Sequence, residues 1–484
     1  MWKVYSILGA LLFTRSWASP FVLPQSGSPA VVQLNILRND IPDPITRDQT
    51  RRKRDKTVLQ LIDNEETLYF CNVTIGTPEQ NLRLILDTGS SDLWCNAANS
   101  TLCSSSRDPC RIPGSFDPSV SSSLSYVSSD FNITYADGTG AAGDYVTDTL
   151  HIGGTTVKDF QFGIGYSSSS AEGVLGIGYP SNEVQVARFG DDAYPNLPQI
   201  LMQKGFIRSS AYSLWLNDLE ANTGSILFGG VDTEKYHGDL RTLPVQSING
   251  GYNELIIALT GVSLNTKSTD RHLSSGALPA AVLLDSGSSL SYLPDSITEE
   301  IYRDIGVTYE PSTGAGYVPC SLAQDDINIT FTFSSPQVTV GISELIINGG
   351  GLRFSNGDRA CIFGIAPAGD STAVLGDTFL RSAYVVYDLT NNEISLAQTR
   401  FNSTESNIFE IQSGDHAVPN ATKVSHPVTS VVADGSGARI GGPTDSGNTI
   451  QSTDTGTAVA WGRAMGVSKH LALSAVVMWH ICIF

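Results

Sequence analysis

Two short segments of the chain carry nearly the same residues in the same order. The first, LILDTGSSDLW, spans 84–94, and the second, VLLDSGSSLSYL, spans 282–293. Each places one aspartate, Asp87 or Asp285, between an apolar run and a glycine. Two carboxyl groups held close together share one proton, because like charges do not both ionise at low cost. Such a pair titrates as a unit and supplies general acid–base catalysis: one group takes a proton from water while the other polarises a carbonyl.

The residues that follow each aspartate have side chains suited to holding it in place. Gly89 and Gly287 allow a sharp turn after a buried strand. Four hydroxyl-bearing residues complete the two phrases: Thr88, Ser90, Ser286 and Ser288. We expect the two serines to donate to the carboxylates, and the Thr88 and Ser286 hydroxyls to bond backbone across the two loops. Ordinary turn formation is the alternative interpretation of these hydroxyls.

The repeat extends beyond these two phrases. EGVLGIG (172–178) follows the first copy and TAVLGDTFL (372–380) follows the second at a similar distance. Two halves with the same elements in the same order predict a duplicated fold, with one lobe per half. The intervening runs are short, rich in Val, Ile, Thr, Tyr and Phe, and bounded by glycine or aspartate turns, which predicts a mainly β protein.

Composition and charge exclude several other classes of function. The chain has 484 residues, of which 41% are hydrophobic, and a net charge of −19. This acidic balance argues against nucleic acid as a partner, because nucleic-acid binders need a basic face. The sequence has no HExxH metalloprotease motif and no GxSxG elbow in a βα context. We therefore expect no metal and no organic cofactor.

With these motifs, the chain resembles the pepsin-like aspartic proteases over about 68–400, and the yapsin branch in particular. The resemblance implies a bilobal fold with the active cleft between two duplicated β lobes. It makes Asp87 and Asp285 the catalytic pair, places Gly89 and Gly287 against the substrate, and implies a monomer that cuts proteins or peptides. The alternative is a catalytically inactive cell-wall binding or structural protein on the same fold.

The resemblance also implies a hairpin flap that closes over the cleft. ITYADGTGAAGDY (133–145) matches it, so Tyr135 would be the flap tyrosine and Trp94 would support it across the cleft. Asp137 and Gly138 would contact substrate from the hairpin tip. The family often has glycine where this chain has Ala136, a difference that bears on flap mobility.

Acidic residues near the cleft indicate a preference for basic side chains at the cut site. In relatives that cut after lysine or arginine, carboxylates near the first subsites attract the basic side chain. Asp137 and the pair Asp191 and Asp192 are the candidates, with a turn residue and a solvated loop as the plainer alternative.

Both ends of the chain carry patterns typical of export and processing. The basic run RRKR ends at Arg54, where we expect a dibasic-processing protease to release the propeptide. Gly456 is the candidate attachment residue for a GPI anchor, and the stalk before it has too few apolar residues to bury a core. The predicted divisions are a signal peptide (1–18), a propeptide (19–54), an N-terminal lobe (55–220), a C-terminal lobe (221–400), a Ser/Thr-rich stalk (401–456) and a GPI-signal tail (457–484).

The cysteines of the body are even in number, which fits disulfides in an exported protein. They are Cys71, Cys95, Cys103, Cys110, Cys320 and Cys361. The last two lie in the second half and should pair. Among the first four we favour Cys95–Cys103, which leaves Cys71–Cys110 by exclusion, although the sequence alone does not fix this choice. Zinc binding is the rival interpretation, but no histidine lies near these cysteines.

N-glycosylation sequons agree with passage through the secretory pathway to the cell surface. We expect the mature protein at the plasma membrane or cell wall, held by its GPI anchor. The candidate acceptors are Asn72, Asn99, Asn132, Asn328, Asn402 and Asn420.

Overall fold

The computed structural model describes residues 29–41, 65–135, 139–221, 223–248, 250–267, 270–273, 276–432 and 439–440. The strands of its first half are β1 (Val32–Ile41), β2 (Glu65–Ile75), β3 (Gln80–Asp87), β4 (Leu93–Asn96), β5 (Ser125–Thr134), β6 (Gly140–Ile152), β7 (Thr155–Ser168), β8 (Gly173–Gly176), β9 (Ala211–Trp215), β10 (Thr223–Phe228), β11 (Gly230–Asp232) and β12 (Tyr236–Pro244). The strands that follow are β13 (Ile256–Leu259), β14 (Gly261–Thr266), β15 (Asp270–Leu273), β16 (Ala280–Leu284), β17 (Ser291–Leu293), β18 (Thr308–Glu310), β19 (Ala315–Pro319), β20 (Ile327–Thr332), β21 (Gln337–Gly341), β22 (Ile346–Ile347), β23 (Ala360–Phe363), β24 (Ile365–Pro367), β25 (Ala373–Leu375), β26 (Ala383–Asp388), β27 (Glu393–Thr399), β28 (Ile408–Glu410), β29 (Ala421–Lys423), β30 (Val431–Val432) and β31 (Arg439–Ile440). The helices are α1 (Leu197–Gln203), α2 (Asp295–Ile305) and α3 (Asp377–Leu380). Within these ranges, no helix is long and apolar enough to cross a membrane.

The strands form one large sheet and several smaller ones. The largest has 14 strands in the order β29-β12-β27-β26-β9-β10-β1-β2-β3-β8-β4-β7-β6-β5. A 7-stranded sheet contains β16 and β25, and two 4-stranded sheets lie in the same half of the chain. β3, which carries Asp87, and β16, which leads to Asp285, therefore belong to different sheets. The predicted mainly β, two-lobed fold is confirmed.

The repeat seen in the sequence is a repeated pairing of parallel strands. β3 runs parallel to β8, with Asp87 opposite Gly176. β16 runs parallel to β25, and the Asp285 N–H donates to the carbonyl of Leu375 (3.1 Å). A Cβ on Gly176 or Gly376 would lie 2.6 or 2.3 Å from backbone atoms of the adjacent aspartate loop. The glycine of each Val-Leu-Gly element thus allows its strand to lie close to the backbone of the aspartate loop.

Apolar side chains hold these strands in a continuous core. The three residues of β3 before its aspartate are buried, as are residues 162–165 of β7 and all of β26. One core cluster runs from β1 to β27 through both halves of the chain. Each aspartate loop therefore starts from a strand end that the core fixes in position.

The predicted propeptide contributes an inner strand to the large sheet. β1 pairs antiparallel with β10 on one side and β2 on the other. Its inward residues Val32, Leu34 and Ile36 are buried in the core. Arg54 and the connection that contains it lie outside the described residues, so the processing site remains a prediction.

The prediction of a flexible stalk is wrong over residues 401–432, a segment that we call the C-terminal strap. Its strands β28 and β29 pair with β11 and β12, and β30 pairs with β16. A segment poor in apolar residues can still pack when the body supplies most of the core, and this strap buries Ile411, Ala417, Val418 and Val431. The rest of the stalk apart from 439–440, and the GPI-signal tail with Gly456 before it, lie outside the described residues.

Candidate active site

The first aspartate is held at the end of β3 by its own loop. Asp87 is fully buried. The backbone N–H of Gly89 donates to its Oδ1 (2.9 Å), and the Ser90 hydroxyl donates to its Oδ2 (2.7 Å). Both carboxylate oxygens therefore have a donor that fixes the side-chain rotamer.

The second aspartate has the same frame. Asp285 follows β16 and is 7% exposed. The N–H of Gly287 donates to its Oδ1 (2.8 Å), and the Ser288 hydroxyl donates to its Oδ2 (2.6 Å). The two phrases thus form two equivalent carboxylate sites, as their sequences indicate.

Buried hydrogen bonds join the two aspartate loops. The Thr88 hydroxyl donates to the carbonyl of Leu284 (2.8 Å), and the Ser286 hydroxyl donates to the carbonyl of Leu86 (2.9 Å). Each hydroxyl also accepts from the other residue's backbone N–H, at 2.9 Å for Thr88 and 3.2 Å for Ser286. This reciprocal set holds the loops of the two lobes together.

The backbone at Gly89 shows how close the two carboxyl groups lie. Its N–H contacts Asp87, while a Cβ built on it would lie 2.5 Å from Oδ1 of Asp285. The glycine therefore sits between the two groups, and no larger residue fits there without displacing one of them. In the part of the chain that the structure describes, no group of three or more His, Cys, Asp or Glu side chains is placed to hold a metal ion.

The predicted flap corresponds to the hairpin formed by β5 and β6. Tyr135 follows β5, and its hydroxyl accepts a hydrogen bond from Nε1 of Trp94 (2.7 Å). Trp94 is 1% exposed, so the bond starts from a fixed ring. Asp137 and Gly138 at the hairpin tip lie outside the described residues. Their contact with substrate stays a prediction.

A buried group beside the flap was missed from the sequence. Asp92, which is 1% exposed, accepts hydrogen bonds at Oδ1 from the hydroxyls of Tyr145 (2.8 Å) and Tyr194 (2.9 Å). Its Oδ2 accepts from the N–H of Val184 (2.9 Å). The sequence could have indicated a special role for Asp92, because the second phrase has leucine at the matching position.

A second carboxyl group lies next to Asp92. Glu183 is fully buried, and its Oε2 accepts from the N–H of Tyr194 (2.9 Å). Burial, with a smaller contribution from the charge of Asp92, raises the pKa of Glu183 to about 9. Burial also raises the pKa of Asp92, against the opposing effect of its three hydrogen bonds. We call Asp92 and Glu183 the buried acid pair.

The disulfides differ from the favoured pairing in the first half. Cys103 pairs with Cys110 (Cα–Cα 5.1 Å), so Cys95–Cys103 and Cys71–Cys110 are wrong. Cys71 and Cys95 are buried thiols on β2 and β4, and the strands β3 and β8 lie between them. Three strand spacings amount to about 14 Å, twice the reach of a disulfide. The remaining predicted pair, Cys320–Cys361, is confirmed (Cα–Cα 5.0 Å).

The sequon asparagines all lie within the described residues. Asn328 is half-buried on β20. The others are exposed: Asn72, Asn99, Asn132, Asn402 and Asn420. An oligosaccharide can therefore be accommodated at those five positions without unfolding.

Comparison with known proteins agrees with this geometry. The family model described as eukaryotic aspartyl protease matches residues 68–399. In structure, the chain resembles the aspartic proteinase from Irpex lacteus, with a TM-score of 0.56 and 20% identity over 78% of this chain and 100% of that one. At that identity the likeness concerns the fold alone.

Curated relatives are similar over much or all of the chain. The probable aspartic-type endopeptidase opsB of Aspergillus oryzae is 70% identical over 487 residues, covering 100% of both chains. The protein of the same name from Aspergillus fumigatus is 64% identical over 99% of both. Yapsin-3 of Saccharomyces cerevisiae is 37% identical over 75% of this chain and 72% of its own length. The chain therefore belongs to the eukaryotic aspartyl protease family, and its predicted class, an aspartic-type endopeptidase, is confirmed.

Proposed function

We propose that this endopeptidase cuts peptide bonds with a water molecule activated between Asp87 and Asp285. One observation carries the assignment: Gly89 donates its N–H to one carboxylate, while its Cα has no room for a methyl group because of the other. Two carboxyl groups that close together cannot both ionise cheaply. The pair therefore holds one shared proton, as the predicted mechanism requires.

In this mechanism the chemistry is general acid–base hydrolysis. The ionised member of the pair takes a proton from the attacking water, and the protonated member donates to the carbonyl oxygen of the scissile bond. A tetrahedral intermediate forms without a covalent bond to the enzyme. Because the frames of the two aspartates are equivalent, we assign the pair and not one member as the base. Activity should be highest at acidic pH, where the pair keeps its proton.

The flap supplies the lid over this site. The Trp94 indole fixes the hydroxyl end of Tyr135 at 2.7 Å, next to the tip that the resemblance places over the substrate. A closed lid excludes water and binds the peptide backbone. Tyr135→Phe removes this hydrogen bond and should lower kcat/KM.

The decisive experiment is cleavage of a peptide by the processed enzyme with and without pepstatin. Asp87→Asn and Asp285→Asn should each abolish pepstatin-sensitive cleavage while leaving the fold intact. Asp148→Asn is the matched control, because Asp148 is an aspartate of the first half that is buried, as Asp87 and Asp285 are. Cleavage by either catalytic variant would refute the mechanism. A correctly processed wild-type protein that cuts at no pH would favour the binding or structural role.

The finer placement of the enzyme in the cell is part of the same proposal. A signal peptide (1–18), a propeptide cut after Arg54 and a GPI anchor at Gly456 would deliver it to the cell surface, and the exposed sequons support passage through the secretory pathway. Release from membranes by a GPI-specific phospholipase would test the anchor. Retention of the protein after that treatment would contradict it.

We also propose a preference for basic residues at the cut site. Asp191 and Asp192 are exposed and belong to the segment that begins at Glu183 and returns to the buried acid pair at Tyr194. Together with Asp137 they would attract a lysine or arginine side chain. A peptide-library profile of wild type and of Asp137→Asn should show this preference and its loss. Cuts flanked exclusively by large apolar residues would refute it.

A further inference from the structure

We propose that Asp92 is a positioning residue for the flap, acting on Tyr135 through a chain of packed aromatic rings. This inference deepens the proposed function and rests on it, because it concerns how the lid over the aspartate pair is held. Trp94 holds Tyr135 by a hydrogen bond, and Asp92 in turn fixes the rings that pack against Trp94.

The carboxylate of Asp92 joins its own loop to two other parts of the first half. Tyr145 lies on β6, Val184 and Tyr194 lie in the segment after β8, and all three donate to Asp92 within 2.9 Å. The two tyrosine hydroxyls are buried, so each would lose its acceptor without gaining water if the carboxylate were removed. Asp92 thus fixes the ring positions of both tyrosines.

Ring contacts lead from these tyrosines to the flap. Tyr194 packs on Tyr145 (centroids 5.9 Å apart), and Tyr145 packs edge-on against Phe131 (5.2 Å). Phe131 then lies 6.5 Å from Trp94, whose indole donates to Tyr135. These residues belong to a single apolar cluster. Because a close-packed cluster has no free space, a displaced Tyr145 ring must displace the rings beyond it.

Asp92 differs in its hydrogen bonding from the titratable groups around it. It has three donors, whereas Glu183 accepts from one N–H. Burial raises the pKa of Glu183 to about 9, and burial followed by the charges of both carboxylates raises the pKa of Tyr145 and of Tyr194. Asp130 contributes in the same direction at Tyr145. Among the described residues, the groups that donate to Asp92 are the N–H of Val184 and the hydroxyls of Tyr145 and Tyr194, and none of these is a cation.

The first test is a double-mutant cycle on the processed enzyme. Asp92→Asn should lower kcat/KM per pepstatin-titrated site by about tenfold, and in the Tyr135→Phe background it should cost less than about twofold, because both changes act on one contact. Asp148→Asn is the matched control: Asp148 also accepts from three donors, two serine hydroxyls and the N–H of Thr149. It should leave kcat/KM unchanged. Additive losses, or equal losses in Asp92→Asn and Asp148→Asn, would overturn the proposal.

Hydrogen exchange gives a readout that does not depend on activity. The N–H of Tyr135 donates to the carbonyl of Thr139 (2.8 Å) across the flap. Exchange in the flap peptide should become about tenfold faster in Asp92→Asn and stay unchanged in Asp148→Asn. If Asp92→Asn does not fold, Tyr194→Phe removes one donor, keeps the ring, and should give a smaller change of the same sign. Unchanged flap exchange would overturn the positioning role, whereas a wild-type enzyme without pepstatin-sensitive cleavage would refute the proposed function.

Discussion

Gly89→Ala tests the geometry of the aspartate pair with a single methyl group. The new Cβ would lie 2.5 Å from Oδ1 of Asp285 and 2.8 Å from its Cγ, so that carboxyl group must move by roughly 1 Å to restore ordinary contact. It has little freedom to do so, because Gly287 and Ser288 hold it at 2.8 and 2.6 Å. A misplacement of about 1 Å at a catalytic group costs on the order of 10²-fold in rate.

We therefore expect kcat/KM to fall about 100-fold, equivalent to about 2.7 kcal/mol of transition-state stabilisation. The assay is cleavage of a fluorogenic peptide at acidic pH, normalised to the amount of folded enzyme. Gly276→Ala is the control, since a Cβ at that exposed position meets nothing within 4 Å. Activity of Gly89→Ala within about threefold of that control would show that Asp285 takes no part in catalysis or lies elsewhere.

Three further variants test parts of the fold that the family motifs do not cover. Ile36→Ala should destabilise the precursor by about 2–5 kcal/mol, because it removes a buried side chain of β1. Asn35→Ala, on the exposed face of the same strand, should not. Equal denaturant midpoints for the two variants would show that β1 does not pack in the sheet. Glu183→Gln should gain stability relative to wild type as pH rises from about 4.5 to about 9, by up to about 1.4 kcal/mol per pH unit. Wild type loses stability over this range because its folded state keeps the Glu183 proton that its unfolded state has lost. If the stabilities of Glu183→Gln and Glu183 proteins, both in a catalytically inactive background, changed in parallel with pH, the prediction would be contradicted. Truncation after Arg400 should abolish secretion of folded enzyme, whereas truncation after Ile440 should not, and similar yields of the two would show that the strap is dispensable.

The catalytic frame could be predicted from the sequence because it is local. The donors to each carboxylate lie two and three residues after it, so a short phrase contains both the acid and its supports. The duplicated Val-Leu-Gly element likewise predicted a duplicated fold, with one lobe per half. What the phrase could not show is the distance between Asp87 and Asp285, which depends on the packing of two lobes.

The disulfides and the strap could not be predicted because they depend on which surface a segment meets. Cys95 is near Cys103 in sequence, but β4 is buried on both faces and keeps its thiol in the core. The strap has too few apolar residues to fold alone, so the sequence predicts an unfolded stalk when the segment is considered in isolation. This prediction fails here because Ile411 and Val418 pack in a cluster that includes Tyr384 and Val386 of β26.

The two copies of the aspartate phrase differ most where their lobes do different work. At the fifth position after the aspartate, the second copy has Leu290, whose apolar side chain packs in an apolar cluster. The first copy has Asp92 there, at the cost of burying a carboxylate that accepts from three donors in the described part of the chain. Leaving its two buried tyrosine hydroxyls without an acceptor would cost about 1–3 kcal/mol each, so the first lobe depends on this residue in a way that the second does not. The flap belongs to the first lobe. We infer that the two copies differ at this position because the flap must be fixed at its base as well as free to open.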